Sequence, residues 1–230
     1  LSHLASRSLL KRKRRQSNMN KIIKDACILF AITLIAGVLL GAVYEVTKTP
    51  IANQNEKAKQ EAYKAVLPEA DSFEALEGVT CNDSNIITVA DFANDEISDI
   101  VAGVKNNKIV GYVITVTDSA GYAGDIKFSV GVGTDGTYKG TSILSISETA
   151  GLGMRVKTDP SFLSQFNNVK VDSFTLVKDG TGSSADDKID AISGSTVTSK
   201  AVTSGINAAL AEFNILKTTG AKTVGGAGIE

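Results

Sequence analysis

The longest hydrophobic segment of the chain lies near its N-terminus. Ala26–Tyr44 reads ACILFAITLIAGVLLGAVY, 19 residues without a charged side chain. As an α-helix rising about 1.5 Å per residue it spans roughly 28 Å, close to the roughly 30 Å hydrocarbon core of a bilayer. A helix also satisfies its own backbone hydrogen bonds in lipid. The pattern therefore predicts a transmembrane helix over residues 25–47.

Two alternatives apply to this segment. A cleaved signal peptide usually has a shorter apolar region, of about 7–15 residues, followed by a small-x-small cleavage site. The run here is longer, and no such site closes it cleanly. A buried core helix is the second alternative, and the length of the run and its charged flanks argue against it.

A polar helix is predicted after the membrane segment. Pro50 is expected to end the anchor helix or its continuation, because proline lacks the N–H that a helix needs. Asn53–Val66 then follows with helix-forming composition, and Pro68 is expected to stop it. We expect residues 48–78 to form a stalk and linker that pack lightly along one stripe. That stripe consists of Ala58, Ala62, Ala65 and Val66.

From about Val79 the hydrophobic pattern changes to a two-residue period, which indicates β-strands. Two hairpins are predicted, because short turns rich in Asn, Asp and Gly separate alternating segments. The first joins Ile100–Val104 to Lys108–Thr117 through Asn106 and Asn107, and the second joins Ile126–Gly133 to Tyr138–Ser147 through Thr134–Thr137.

The remaining pattern mixes helices with strands. It predicts a short helix over Pro160–Phe166, a strand over Val169–Lys178, a strand-like approach over Lys188–Ile192 and a long helix over Thr196–Phe213. Strands without strict βαβ alternation indicate an α+β class, with an antiparallel-type sheet plus helices. We assign this domain to residues 79–216 and expect the glycine-rich residues 217–230 to be a flexible tail.

The charge distribution predicts the orientation in the membrane. Residues 1–24 contain eight Lys or Arg residues and no acid. By the positive-inside rule they form a basic cytoplasmic leader, and residues 48–230 lie outside the cytoplasm. Met19 with the following Asn-Lys resembles a translation start, so residues 1–18 are interpreted as an upstream or artificial extension. The alternative is a native basic arm that contacts anionic lipid.

Composition excludes several function classes for the exterior part. After residue 24 the chain has 16 basic and 25 acidic residues, so a nucleic-acid-binding surface is not expected. Cys27 and Cys81 cannot build a disulfide framework or a four-sulfur metal site. His3 is the only histidine, so histidine-based triads and metal sites are also excluded there.

Three small-residue segments are candidates for ligand binding. The segment starting at Asp190, DAISGSTVTSK, places a tight turn before a helix, and helix N-termini favour anions such as phosphate. SETAGLG begins at Ser147 and GYAGDI begins at Gly121. The glycines of these turns permit close approach of the backbone to a planar ligand, and GYAGDI also contains the aromatic Tyr122. Taken singly, each segment is also compatible with an ordinary turn or an N-capped helix.

In this order the three segments resemble the FMN-binding domain of the G subunit of Rnf electron-transport complexes. The C subunit of the sodium-translocating NADH:quinone oxidoreductase shares that domain. The resemblance implies that a flavin transferase takes FMN from FAD and esterifies its phosphate to Thr196. Ala150 stands where the family usually has proline, and Ser195, where alanine is usual, adds a neighbouring hydroxyl. The implied cofactor-binding residues are Thr196, Asp190, Ser193, Gly194, Ser195, Glu148, Thr149, Gly151, Leu152 and Tyr122.

The resemblance also implies a function. It predicts a covalently flavinylated electron-transfer subunit of an inner or plasma membrane complex that couples ferredoxin:NAD⁺ oxidoreduction to Na⁺ or H⁺ movement. Its partners would be the other membrane and peripheral subunits, the bilayer and, transiently, the flavin transferase. No metal and no catalytic side chain are expected, and the isolated subunit should have little activity, since the flavin supplies the chemistry.

Other functions remain open at this point. The corresponding subunit of the quinone reductase is the alternative within the same class. A membrane-anchored ectodomain that binds a ligand without redox chemistry and a stand-alone flavin reductase are alternatives from other classes. Covalent flavin on the denatured protein separates the redox functions from the non-redox one.

Overall fold

The computed structural model describes residues 2–77, 79, 87–88, 91–220, 223 and 225. The side chains of residues 2–22, 87, 88 and 219 are outside this description. The chain divides into two units, one up to Glu56 and one from Lys57 onward. Most of the segment from Val79 to Ala90 and most of the predicted tail therefore lie outside the described residues.

The first unit consists of helix. Helix α1 covers Ser2–Val66, so its residues from Lys57 onward belong to the second unit, and it contains the apolar segment long enough to cross a membrane. The described side chains of this segment are exposed around the whole helix, as is typical of a helix that faces lipid. The prediction that Pro50 ends the helix is wrong, because α1 continues through it. Proline removes one N–H donor from the helix, and the helix propensity of the residues on both sides outweighs the loss of that hydrogen bond.

The second unit is built on an antiparallel sheet. Its strands pair in the order β1-β3-β4-β5-β6, with β2 also pairing with β3. The α+β class and the antiparallel type are therefore confirmed. The strands are β1 (Ser72–Ala75), β2 (Ile87–Thr88), β3 (Asp95–Lys105), β4 (Lys108–Asp118), β5 (Ile126–Gly133) and β6 (Tyr138–Ser145).

Both predicted hairpins are present. Asn106 and Asn107 have φ values of 51° and 62°, the left-handed conformation that a two-residue turn between twisted strands requires. In the β5–β6 turn, Gly136 has φ 89°. The Asp135 carboxylate accepts the Thr137 N–H at 3.0 Å and closes the turn locally. The turn chemistry visible in the sequence therefore sets the register of both hairpins.

The C-terminal helix covers one face of the sheet. It is the last α-helix of the described residues: α2 covers Arg155–Thr158, α3 covers Pro160–Ser164 and α4 covers Thr196–Thr219, beyond the predicted end at Phe213. Apolar residues of α4 pack against β4 and β5. The rings of Phe213 and Tyr112, for example, pack edge to face with their centroids 5.9 Å apart. The buried residues that α4 contributes to this core are Ala201, Val202, Ile206, Ala208, Ala209, Leu210, Phe213 and Leu216.

The end of α1 packs with the opposite face of the sheet. Tyr63, Val66 and Leu67 are buried there with Val113. The Tyr63 hydroxyl donates to the Asp99 carboxylate on β3, and Lys59 pairs with the same carboxylate.

The predicted stalk stripe is therefore only partly correct. Ala62 and Val66 are buried, whereas Ala58 and Ala65 are exposed. The reason is that the sheet contacts a face centred on Tyr63, and a bulky aromatic ring buries more apolar area than an alanine stripe.

A second, two-stranded sheet precedes α4. Its strands, β7 (Thr175–Val177) and β8 (Lys188–Asp190), pair in parallel, and a 3₁₀ turn over Gly182–Ser184 lies between them. The predicted strand over Val169–Lys178 was too long. The backbone of Phe174 bonds instead to the Asn207 side chain of α4, with N–H···Oδ1 at 2.7 Å and Nδ2–H···O at 2.9 Å.

The tail also differs from its prediction where it is described. Thr223 is buried and forms an antiparallel bridge with Leu76, so this part of residues 217–230 is attached to the sheet edge.

Gly131 and Gly140 provide a matched test of the contact between α1 and the sheet, because they pair across β5 and β6. A Cβ on Gly131 would overlap the carbonyl oxygen of Val66 and lie 3.1 Å from its Cβ, whereas a Cβ on Gly140 meets nothing closer than 3.9 Å. We expect Gly131→Ala to lower the free energy of unfolding by about 1–3 kcal/mol. Gly140→Ala should change it by less than about 0.5 kcal/mol. Thermal unfolding of the detergent-solubilised chain measures both, and equal effects would contradict the packing described here.

Candidate functional site

The three candidate segments meet at the N-terminus of α4. They enclose a cavity of about 530 Å³, which lies within the size range of small-molecule sites. Its lining residues are Tyr122, Glu148, Thr149, Leu152, Gly153, Gly194, Ser195, Thr196, Val197 and Thr198.

Most of the residues singled out from the sequence lie at this cavity, but three do not line it. Asp190 and Ser193 line a neighbouring cleft of about 620 Å³, and Gly151 lines neither. Three lining residues were not among the predicted cofactor-binding residues: Gly153, Val197 and Thr198. All three lie within the three candidate segments, so the segments themselves were correctly predicted. Sequence alone does not tell which residues of a turn face the cavity.

Glu148 connects two of the three segments directly. Its side chain is buried, and Oε1 accepts the N–H of Tyr122 at 2.7 Å. The N–H of Ala123 lies 3.5 Å from the same oxygen. Oε2 faces Gly153, where an added Cβ would lie 2.7 Å from both Oε2 and Thr198 Oγ1. The Glu148 carboxylate thus holds the Tyr122 turn. Because residue 153 is a glycine, the turn that contains it can lie close to Thr198 of α4.

Asp190 has a structural position beside the cavity. Its Oδ1 accepts the Gly182 N–H at 3.0 Å, while its backbone exchanges two hydrogen bonds with the Gln165 side chain, at 2.8 and 3.2 Å. These contacts fasten the end of β8 just before the turn into α4. Asp190 therefore affects the cavity by positioning this turn.

The turn from β8 into α4 is closed by backbone and hydroxyl contacts. Gly194 has φ 79°, a conformation that favours glycine, and the Ser195 N–H donates to the Ile192 carbonyl at 2.9 Å. The Ser199 hydroxyl accepts the Ile192 N–H at 3.1 Å and donates to the Ser195 carbonyl at 2.9 Å. The Ser199 side chain of α4 therefore stabilises the turn that precedes the helix.

The N-terminus of α4 keeps its capacity to bind an anion. Ser195 is the N-cap residue but makes no side-chain capping bond, and the first turn of α4 contains no acidic residue. The buried Ser195 Oγ has no hydrogen-bond partner among the described residues. Helix N-terminal amides with the helix dipole stabilise an anion by about 0.3–1 kcal/mol, and by more when partly buried.

Exposed apolar side chains surround the cavity. Among the described residues from Lys57 onward, the large exposed hydrophobics are Tyr122, Leu152, Val197 and Ile215, with 74, 46, 49 and 52% exposure. Three of these four line the cavity. Exposed apolar clusters are unfavourable in water and mark binding surfaces, so this rim is suited to a flat, apolar ring system.

Comparison with known proteins identifies two segments of the chain. A family model described as the FMN-binding domain matches residues 121–211, and one described as the RnfG N-terminal region matches residues 17–66. The first match contains the whole cavity lining, and the second contains the predicted membrane segment.

Two relatives are similar over most of the chain. The G subunit of the Na⁺-translocating ferredoxin:NAD⁺ oxidoreductase complex of Acetobacterium woodii is 32% identical over 87% of this chain and 96% of its own length. The counterpart from the proton-translocating complex of Clostridium ljungdahlii is 33% identical over 81% of this chain and 92% of its own length. The crystal structure of Shewanella oneidensis NqrC aligns with a TM-score of 0.45 and 27% identity, covering 52% of this chain and 60% of that one.

Substitution of Glu148 tests its connecting role. Glu148→Ala removes the acceptor of the Tyr122 N–H and leaves that donor unsatisfied, so we expect a loss of about 1–3 kcal/mol in the free energy of unfolding. Amide hydrogen exchange at Tyr122 and Ala123 should accelerate. Glu148→Gln keeps an acceptor oxygen and should retain most of the protection. Unchanged exchange in Glu148→Ala would show that the turn is held by other contacts.

Proposed function

Since this chain belongs to the family of G subunits of ion-translocating oxidoreductase complexes, we propose that it carries FMN covalently on Thr196 and relays electrons within such a complex. The observation that carries this proposal is the position of Thr196. It is the first residue of α4, partly exposed at the cavity, next to an uncapped helix N-terminus and an apolar rim.

The residues at this cavity match the two halves of FMN. The phosphate requires positive potential and N–H donors, which the first turn of α4 offers without a competing carboxylate. The unpartnered Ser195 hydroxyl lies beside this turn and can donate to a phosphate oxygen. The isoalloxazine ring requires an apolar surface, which Tyr122, Leu152 and Val197 provide.

The attachment reaction needs only the hydroxyl of Thr196 from this chain. In the proposed step, Thr196 Oγ1 forms a bond to the flavin-side phosphorus of FAD. The pyrophosphate bond breaks, AMP leaves, and the hydroxyl proton is released. A separate flavin transferase is expected to catalyse this transfer. Thr196 is therefore an attachment point and takes no part in turnover.

The chain contributes position and electrostatics to electron transfer. Bound FMN supplies the one- and two-electron redox chemistry. Glu148 orders the turn that carries Tyr122, and Asp190 fixes the approach to α4. Attachment through an ester keeps the flavin on the protein whatever its non-covalent affinity, which suits a cofactor held outside the cytoplasm.

The proposal includes a place in the membrane. Ala26–Tyr44 contains no charged residue, so the ion path should lie in other subunits, which are expected partners together with the bilayer. The basic residues before the span favour a cytoplasmic N-terminus and an extracytoplasmic flavin domain. The match to the RnfG N-terminal region supports an Rnf-type complex over the quinone reductase. Coupling of ferredoxin:NAD⁺ oxidoreduction to Na⁺ or H⁺ transport is proposed from the names of the relatives.

Thr196→Ala should abolish covalent flavin, because it removes the only oxygen proposed to form the ester. Ser195→Ala is the matched control and should remain flavinylated. Both variants are co-expressed with a flavin transferase and examined by in-gel fluorescence after denaturation and by peptide mass mapping. The reverse pattern would move the acceptor to Ser195, and a wild-type band without flavin would refute the covalent proposal.

Orientation can be measured with single cysteines in a Cys27→Ser, Cys81→Ser background. In spheroplasts, a membrane-impermeant thiol reagent should label Asp172→Cys, whose parent side chain is exposed in the second unit. It should label Asn20→Cys only after permeabilisation, because the basic residues before the span hold the N-terminal side in the cytoplasm. Labelling of position 20 in intact spheroplasts, without labelling at 172, would invert the proposed topology.

A further inference from the structure

Two buried carboxyl groups lie beneath the candidate site. Asp95 begins β3 and Asp118 ends β4, and the two residues face each other directly in the antiparallel register. Their relative exposures are 1% and 0%. Isolated buried carboxylates are strongly unfavourable, and two of them side by side repel each other. The pair therefore requires a specific physical explanation.

Each carboxyl group is bonded to a different element of the site. Ser204 of α4 donates its hydroxyl to Asp95 Oδ2 at 2.7 Å. The Ala120 N–H donates to Asp118 Oδ1 at 2.6 Å, at the start of the turn that carries Tyr122. Asp95 Oδ1 and Asp118 Oδ2 have no hydrogen-bond partner among the described residues. A proton on one carboxyl group would supply the missing donor between the two.

We propose that Asp95 and Asp118 share one proton in the folded protein, and that this protonated pair fastens the Tyr122 turn to α4. The connection runs from Ala120 through Asp118 and Asp95 to Ser204. It joins the two elements that carry Tyr122 and Thr196 on opposite sides of the cavity. The two aspartates are positioning residues, because neither lines the cavity itself.

The surroundings favour the shared proton. Burial raises the pKa of Asp118 to about 8, with the hydrogen bond and negative charge of Asp95 adding to the effect and Asp125 contributing from the same turn. Burial also raises the pKa of Asp95, against a lowering contribution from the Ser204 hydroxyl.

The packed elements around the pair are apolar or hydroxylic. Gly205 of α4 allows close contact, because an added Cβ would lie 3.0 Å from Asp95 Oδ1 and 2.6 Å from the Phe128 ring of β5. Lys200, on the same helix, is exposed to solvent. Asp125 has the same sign as the pair, so its charge also favours retention of the proton on Asp118.

The sign of the pH effect follows from the raised pKa. The unfolded chain loses this proton near the ordinary aspartate value, about 4, whereas the folded chain retains it to about 8. Stability is therefore greatest below the unfolded value and falls as pH rises towards the folded value. Within this window each pH unit lowers the folded-to-unfolded ratio by about tenfold. Above about pH 8, repulsion between the two ionised carboxylates should loosen the Tyr122 turn.

The test is an NMR titration of the full chain in detergent, without flavin, so failure of flavin attachment does not affect its outcome. We expect the Asp118 carboxyl carbon and the Ala120 amide to titrate together with a midpoint near pH 8. In Asp118→Asn and in Asp95→Asn, the amide nitrogen can donate to the remaining carboxylate. Both variants should therefore keep the acid-form Ala120 signal up to pH 9 and melt at higher temperature than wild type at pH 8.

Asp172→Asn, which removes an exposed carboxylate, is the matched control and should retain the wild-type titration. The proposal is overturned if the wild-type Asp118 carboxyl and Ala120 amide do not change between pH 6 and 9. It is also overturned if the Ala120 titration persists in either variant of the pair. If both variants fail to fold, the wild-type carboxyl titration alone decides the question.

Discussion

The candidate site depends on the buried Glu148 carboxylate. A carboxylate removed from water is tolerated only when donors satisfy it, and here the donors are backbone N–H groups of the Tyr122 turn. Its second oxygen reaches the tight contact between Gly153 and Thr198. This carboxylate thereby joins two segments, distant in sequence, beside the N-terminus of α4. Backbone donors and glycines accomplish this, and none of these groups needs to react.

The candidate site lies beside the ends of strands β4 and β6 and the start of helix α4. One sheet face is covered by α4 and the other by the last turn of α1, so β4, the strand that precedes the Tyr122 turn, is buried on both faces. The free N-terminus of α4 then opens at the cavity with an electrostatic preference for an anion. A protein without histidine in this domain can support redox chemistry in this way, because a bound FMN would supply it.

Local patterns predicted local structure well. The paired asparagines 106 and 107 and the Thr134–Thr137 turn predicted both hairpins, since left-handed and Asx turn geometries are properties of a few adjacent residues. The start of α4 at Thr196 was predicted for the same reason. The errors had two different causes. The α1 helix continues through Pro50 because helix-forming residues flank it on both sides. Within the strand predicted over 169–178, the Asn207 side chain takes the backbone hydrogen bonds of Phe174, so a tertiary contact outweighs the local preference there.

The sequence by itself determined the apolar helix long enough to span a membrane, the α+β class and the three segments that meet at the candidate site, because charge, periodicity and turn chemistry act over short stretches of chain. Only the tertiary structure decided which side chains share the cavity. It separated Asp190 and Ser193 from the cavity lining and included Val197 and Thr198. It also brought together two aspartates 23 positions apart at the open end of one hairpin. Burial and hydrogen-bond satisfaction depend on all neighbours in space, and no local pattern contains that information.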